Sequence, residues 1–167
     1  VGEFAYRVQA GSFFQVNRFL AGKLVELTVP ASGGALALDL FAGTGLFALP
    51  LARKFEKVIA VESSRTSYED LLSNAPPNLE PVQLPTDQFL RKRKFAKPPD
   101  LVVVDPPRAG LGPKVTTSLV QAAAKEIAYI SCDPATLARD LRVFLDAGYA
   151  ITEMHMVDLF PQTYHLE

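Results

Sequence analysis

The chain has 167 residues and a mass of 18.2 kDa, enough to bury a sizeable core as one domain. Hydrophobic residues make up 49%, which excludes a disordered chain, and a formal net charge of −1 excludes a polycation that grips nucleic acid by overall charge. One Cys excludes an intramolecular disulfide and suits a reducing cytoplasm, and one Cys with two His argues against structural zinc.

No signal peptide and no membrane-spanning apolar run is found. The abrupt start at Val1 and stop at Glu167 suggest an excised domain, read as one catalytic unit over 1–167. Residues 1–34 are a lead-in segment with a helix. Apolar spacing at Phe19, Leu20, Leu24 and Leu27 predicts that helix over Asn17 to Val29, with Asn17 as cap. Pro30 to Gly34 is a loop. The core, 35–167, alternates strand-like and helix-like stretches. Strands are expected at Ala35–Phe41, Lys57–Glu62, Leu79–Leu84, Asp100–Asp105, Glu126–Ser131 and Tyr149–Val157. Helices are expected at Gly45–Phe55, Ser64–Asn74, Asp87–Lys94, Pro113–Lys125 and Pro134–Ala147. The pattern predicts an α/β fold: a doubly wound, Rossmann-like, mostly parallel sheet with helices on both faces.

Asp39-Leu40-Phe41-Ala42-Gly43-Thr44-Gly45-Leu46 follows the first central strand and opens a helix. Its glycines let backbone pass close to a ligand, and the helix N-terminus offers N–H groups to an anion. Glu62 ends the second strand, where a carboxylate can accept two ribose hydroxyls. The bland alternative is a tight turn with Glu62 capping the next helix. Gly43-x-Gly45-x-x-Ala48 also satisfies the loose dinucleotide pattern, so a nicotinamide-dependent dehydrogenase fits this end of the chain. The fourth strand ends in Asp105-Pro106-Pro107-Arg108. Two prolines cannot continue a ladder or a helix, so the carboxylate is fixed at the sheet edge.

The fifth strand runs into Ser131-Cys132-Asp133-Pro134. Asp133 reads as an N-cap and Pro134 as the first helical residue. Cys132 therefore sits where a strand yields to a helix, the carboxyl edge where open α/β sheets bind ligands. A helix N-terminus favours thiolate over thiol. The competing reading is an inert core cysteine.

Taken in order, Phe14-Gln15-Val16-Asn17, Asp39 to Gly45, Asp105 to Arg108, Ser131 to Pro134 and the tail Phe160 to Glu167 resemble the RNA uracil-C5 methyltransferase family. The resemblance covers nearly the whole chain. It implies a class I methyltransferase using S-adenosylmethionine, with S-adenosylhomocysteine as product and RNA as substrate. It implies that Gln15, Phe41, Gly43, Gly45, Glu62, Asp87 and Asp105 line the cofactor site. Glu62 would hold the ribose hydroxyls and Asp87 would reach the adenine. It implies Cys132 as nucleophile and Glu167 as base, with no metal and no membrane.

The chemistry needs these residue types. Uracil C5 is a poor nucleophile, and thiolate addition at C6 turns it into an enolate. A carboxylate must then remove the C5 proton before the thiolate leaves. The base must also leave its stack, and Phe160 or Tyr164 offers a stacking surface, or else ordinary core packing. His165 either orients Glu167 or packs. Arg91, Lys92, Arg93, Lys94 and Lys97 form a basic cluster, either a phosphate contact or a solvated run. Ala135 to Asp140 is more like the ribosomal RNA branch than the transfer RNA branch.

The chain departs from the family pattern in places. Asp133 stands where Asn is usual, and its charge would oppose thiolate formation. Leu46 stands where a polar cofactor contact is frequent. The RNA-binding barrel and the iron–sulfur cysteines found in relatives are not in this sequence, so RNA binding is expected to need an additional N-terminal domain. The last, antiparallel strand of the sheet is expected to be truncated. Beside the dehydrogenase, the other readings are a cofactor- or RNA-binding module without catalysis, an amino-group methyltransferase and a cytosine-C5 enzyme. Arg108 replaces the aromatic that the amino-group enzyme needs, and the fourth strand lacks the cysteine typical of the cytosine-C5 enzyme.

Overall fold

The computed structural model describes residues 1–163. Five parallel strands form one sheet in the order β3-β2-β1-β4-β5. They are β1 Leu36–Leu40, β2 Lys57–Glu62, β3 Leu79–Gln83, β4 Leu101–Val104 and β5 Glu126–Tyr129. The helices are α1 Ala21–Thr28, α2 Ala48–Ala52, α3 Arg65–Asn74, α4 Thr86–Lys92, α5 Gly112–Ala122 and α6 Pro134–Asp146.

Side-chain alternation explains the two layers. Ala37, Val58, Ala60, Leu101 and Val103 point to one face and meet Leu24 of α1, Leu51 of α2 and Leu71 of α3. Leu38, Leu40, Ile59, Val102 and Val104 point to the other and meet Phe89 of α4, Leu119 of α5 and Phe144 of α6. Strand order reverses between β1 and β4. That switch point opens a crevice at the carboxyl edge of the sheet.

The caps behave as their chemistry requires. Asp133 accepts from the Thr136 N–H at 2.8 Å, and Ser64 caps α3. Asn17 Oδ1 accepts from the Leu20 N–H at 3.1 Å in the turn leading into α1, which starts later than the spacing suggests.

Two expectations are corrected. The helix expected over Gly45–Phe55 is regular only over Ala48–Ala52 and is flanked by turns. Pro50 has no N–H for the Leu46 carbonyl, which instead accepts the Tyr6 hydroxyl at 3.0 Å. The second correction concerns Tyr149–Val157, which is not a strand. Among the described residues β5 pairs only with β4, so this segment has no ladder to join. Its Ile151, Met154 and Met156 are exposed rather than buried by alternation.

Candidate functional site

Three carboxylates meet at the ends of β1, β2 and β4. Asp39 pairs in register with Ala60 of β2 and Val103 of β4, so Glu62 and Asp105 lie just beyond it on either side. Asp39 is fully buried, and neither of its oxygens has a hydrogen-bond partner among the described residues. Its pKa is pushed up to about 8, by burial first, then by the charge of Asp105, with Glu62 adding less. The Ala48 N–H at the start of α2 works the other way without meeting full hydrogen-bond geometry.

The turn after β1 is built against Glu62. The Gly43 N–H donates to Glu62 Oε2 at 2.8 Å and the Ser64 N–H to Oε1 at 2.6 Å. Glu62 thus shapes the glycine turn while its remaining lone pairs stay available, since a carboxylate has about four acceptor sites. Phe41 holds a left-handed φ of 67°, a costly conformation for an aromatic residue that is usually kept for a functional reason. Gly45 has φ 102°, and a Cβ there would lie 2.7 Å from Leu49 and 3.0 Å from Leu71.

A cleft of about 410 Å³ opens beside this turn. Phe41, Asp87 and Pro107 contribute to its walls, as do Gly110 and Leu111 of the loop after β4. The cleft therefore unites two residues from distant parts of the sequence, Phe41 and Asp87. Asp87 sits in the first turn of α4. Gln15, Gly43, Gly45, Glu62, Asp105 and Cys132 do not line it.

Gln15 arrives on residues 1–20, a strap laid over α3. The Gln9 N–H and the Ser12 hydroxyl both donate to Asp70 Oδ2, at 2.8 and 2.6 Å. Burial raises the Asp70 carboxyl, but these donors outweigh it and hold the pKa below the usual range. The Arg7 N–H donates to Asn74 at 2.8 Å. Gln15 is buried with Oε1 unpartnered among the described residues, as is the Thr44 hydroxyl in the glycine turn. Buried unpaired acceptors cost stability unless something supplies a donor, so Asp39 and Gln15 fit a ligand carrying N–H groups.

Cys132 is half-buried, one residue before the cap of α6. Ionised Asp133 beside it turns Oδ1 into the helix; that Thr136 hydrogen bond comes first in holding its pKa down, and the Arg108 charge contributes. The expected base Glu167, with Tyr164 and His165, lies outside the described residues. Phe160 is half-buried and packs on the core cluster containing Leu159. One member of the basic cluster, Arg93, points elsewhere. Arg93 meets Glu80 at 3.5 Å and Lys57 meets it at 2.6 Å, at the amino edge of the sheet, opposite the cleft. The solvated reading suits that placement.

The role of Asp39 is not evident from its motif alone. The available signal was a charged residue inside Leu36-Ala37-Leu38-Asp39-Leu40, a strand paired on both sides and nearly all buried. Tyr6 was missed as well; its hydroxyl pKa is raised, mainly by burial and then by Asp39. Nothing in its local sequence distinguishes it.

No helix among the described residues is long and apolar enough to cross a membrane. A model of the family described as tRNA (Uracil-5-)-methyltransferase matches residues 2–167. An uncharacterized RNA methyltransferase of Streptomyces avermitilis is 40% identical across 97% of this chain, which spans 39% of that protein. One of Thermotoga maritima is 36% identical across 97% of this chain and 38% of its own length. The crystal structure of Pyrococcus abyssi tRNA (uracil-54, C5)-methyltransferase in complex with S-adenosyl-L-homocysteine superposes with a TM-score of 0.80. It shares 32% identity over 98% of this chain and 40% of its own. The chain thus spans about two-fifths of the length of these relatives.

Proposed function

We propose that this chain, which belongs to the tRNA (uracil-5-)-methyltransferase family, is the catalytic unit that binds S-adenosylmethionine and methylates C5 of a uridine in RNA. The observation that carries the reading is the crevice at the switch point. There, Asp39, a buried acceptor without a donor among the described residues, stands on the strand that leads into Phe41, which with Asp87 lines the cleft. The donor set fits the cofactor. Glu62 has acceptor sites for ribose hydroxyls, Asp87 is at hand for the adenine, and Asp39 and Gln15 accept from an ammonium group. Gly43 and Gly45 let the backbone approach, and Asp105 supplies negative charge near a sulfonium.

Bound S-adenosylmethionine supplies the electrophilic methyl group that C5 takes up. The residues of this chain do the rest. The Cys132 thiolate adds to uracil C6, forming a C–S bond and placing the electron pair on C5 and O4. After methylation Glu167 removes the C5 proton; the electrons re-form the C5–C6 double bond and expel the thiolate. The helix N-terminus beside Cys132 favours the thiolate throughout. In this reading residues 1–167 act as one unit, with 1–34 delivering Gln15. An RNA-binding domain elsewhere in the protein brings the substrate in the cytoplasm.

The test is an adduct assay on the intact protein. RNA bearing 5-fluorouracil has no removable C5 proton, so a slow band resistant to denaturation should form and should vanish in Cys132→Ala. Absence of that band with cofactor bound would support the non-catalytic module. Titration with S-adenosylhomocysteine and NAD separates out the dehydrogenase, which tighter NAD binding would establish. Ala135 to Asp140 favours ribosomal RNA, and undermethylated ribosomal and transfer RNA assayed in parallel decide between the two.

A further inference from the structure

The loop after β4 and α6, the helix that follows Cys132, are joined by a set of bonds that the proposed chemistry does not use. Asp140 of α6 is 2% exposed. Its Oδ2 accepts from the Leu111 N–H at 2.7 Å and from the Tyr129 hydroxyl at 2.9 Å. Its Oδ1 accepts from Arg139 Nε at 2.9 Å. Arg139 Nη2 reaches on to the Ala109 carbonyl at 2.9 Å. One turn earlier, on the same face of α6, the Thr136 hydroxyl lies 3.1 Å from the Arg108 carbonyl and 3.2 Å from the Asp133 carbonyl, so its one proton is shared between the loop and the helix cap.

Gly110 lies inside this set with φ +70°. A Cβ there would fall 2.6 Å from Asp140 Oδ2 and 2.7 Å from Arg139 Nη2. The loop is therefore pressed against α6 as closely as backbone allows. The same stretch walls the cleft through Pro107, Gly110 and Leu111. The Thr136 N–H also closes the Asp133 cap, one residue from Cys132.

We propose that Thr136 and Asp140 are positioning residues that clamp the cofactor-cleft wall to α6, the helix whose N-cap follows Cys132. Sheet register alone does not set that distance. The clamp joins the loop after β4 to α6 on one side of the crevice, so the cofactor wall and Cys132 move as one piece. Reactions between two held partners lose rate steeply when their spacing relaxes by about 1 Å. The clamp rests on the methyl-transfer reading for its purpose, though not for its existence.

The experiment uses Thr136→Val, which keeps shape and loses the hydroxyl, with Thr136→Ser as the conservative rescue and Asp140→Asn as the stronger lesion. Hydrogen exchange reads the clamp directly, whatever the activity. The Leu111 amide should exchange at least about tenfold faster in Asp140→Asn, because its acceptor loses charge. Unchanged exchange there would overturn the clamp. In the intact enzyme, Thr136→Val should lower kcat about tenfold with KM for S-adenosylmethionine and melting temperature little changed, and Thr136→Ser should restore it. A general structural role would instead lower the melting temperature and leave the kcat of folded enzyme at the wild-type value, which would also overturn the proposal. A wild type that binds no S-adenosylhomocysteine and methylates nothing sinks the functional reading alone, with the exchange result still deciding the clamp.

Discussion

Asp39 and Asp140 are buried to the same degree, at 0% and 2% exposure, and are used in opposite ways. Asp140 is saturated by Leu111, Tyr129 and Arg139. Asp39 has no hydrogen-bond partner among the described residues and sits near two more carboxylates. A fully bonded buried carboxylate is scaffold, holding one element against another. A buried carboxylate without donors is an expense the fold carries for a ligand. The cofactor side of the crevice is thus built to be completed from outside, and the α6 side is complete in itself.

That contrast predicts where a substitution hurts activity and where it hurts folding. The largest effect belongs to Cys132→Ala. It should remove methyl transfer and the covalent RNA adduct altogether while cofactor affinity stays near wild type, because the thiolate acts on the uracil and not on the cofactor. Rapid gel assay with calorimetry on the same sample checks both halves. A variant that still methylates, or one that loses the cofactor, would break the division between the two sides.

Asp39→Asn sharpens the contrast. Folding raises the Asp39 pKa from 3.8 to about 8, so the native state holds a proton that the unfolded chain has shed. The native state binds more protons across this window, so stability from this group is complete below about 3.8 and is lost as pH rises to about 8. The slope is at most about 1.4 kcal/mol per pH unit. Asp39→Asn should flatten it and leave the cofactor-free protein more stable near pH 8, read by urea melts across pH. The same variant should bind S-adenosylmethionine more weakly, by about 1–3 kcal/mol, as an acceptor meant for a donor is lost. In wild type, binding below pH 8 should release protons, measurable as a buffer-dependent enthalpy. Retention of the steep slope in the Asn variant would place its cause in another group.

How far these features could be read in advance followed from how local their causes were. The existence of the central strands and the placing of Glu62 and Asp105 at their ends follow from near-continuous apolar runs ended by turn residues, whereas strand order does not show locally. Asp133 and Pro134 advertise the start of α6 in two adjacent residues. The roles of Asp39 and Asp140 did not show locally. Both are acidic residues in apolar settings, and only tertiary contact decides that one is empty and the other full. Tyr149–Val157 looked like a strand by alternation, but alternation reports a face and not a partner. The shortening of α2 was legible in principle, because Pro50 denies the Leu46 carbonyl its helical donor.

Glu62→Ala is the next smaller effect and tests the cofactor side again. It should weaken S-adenosylhomocysteine by about 1–3 kcal/mol, the range for polar groups left without their hydrogen bonds. Glu62 also holds the Gly43 and Ser64 N–H groups, so part of that loss is a looser turn. Glu62→Gln separates the two. It keeps one acceptor for the turn and loses the second, so its affinity should fall between those of wild type and Ala. Equal losses in both variants would mean that turn shape contributes little.

The smallest expected effect is Asp133→Asn. A negative charge one residue from Cys132 opposes thiolate formation, so its removal should make the thiol react at lower pH. The size is limited by where that charge points. Asp133 Oδ1 faces the Thr136 N–H at 2.8 Å, in the positive end of α6, and the Arg108 charge also acts on it. Most of its field is therefore answered locally, and what reaches Cys132 is further screened on a half-exposed surface. Asn caps the helix as well as Asp, so fold and cofactor affinity should not change. The midpoint of Cys132 alkylation against pH should fall by roughly half a pH unit or less. A fall of more than a full unit would mean that the Asp133 charge is not answered by the helix and Arg108. The α6 side would then be less complete than the saturated bonds of Asp140 imply. No fall at all would mean that the charge is fully answered, and that Asp in place of Asn costs the nucleophile nothing.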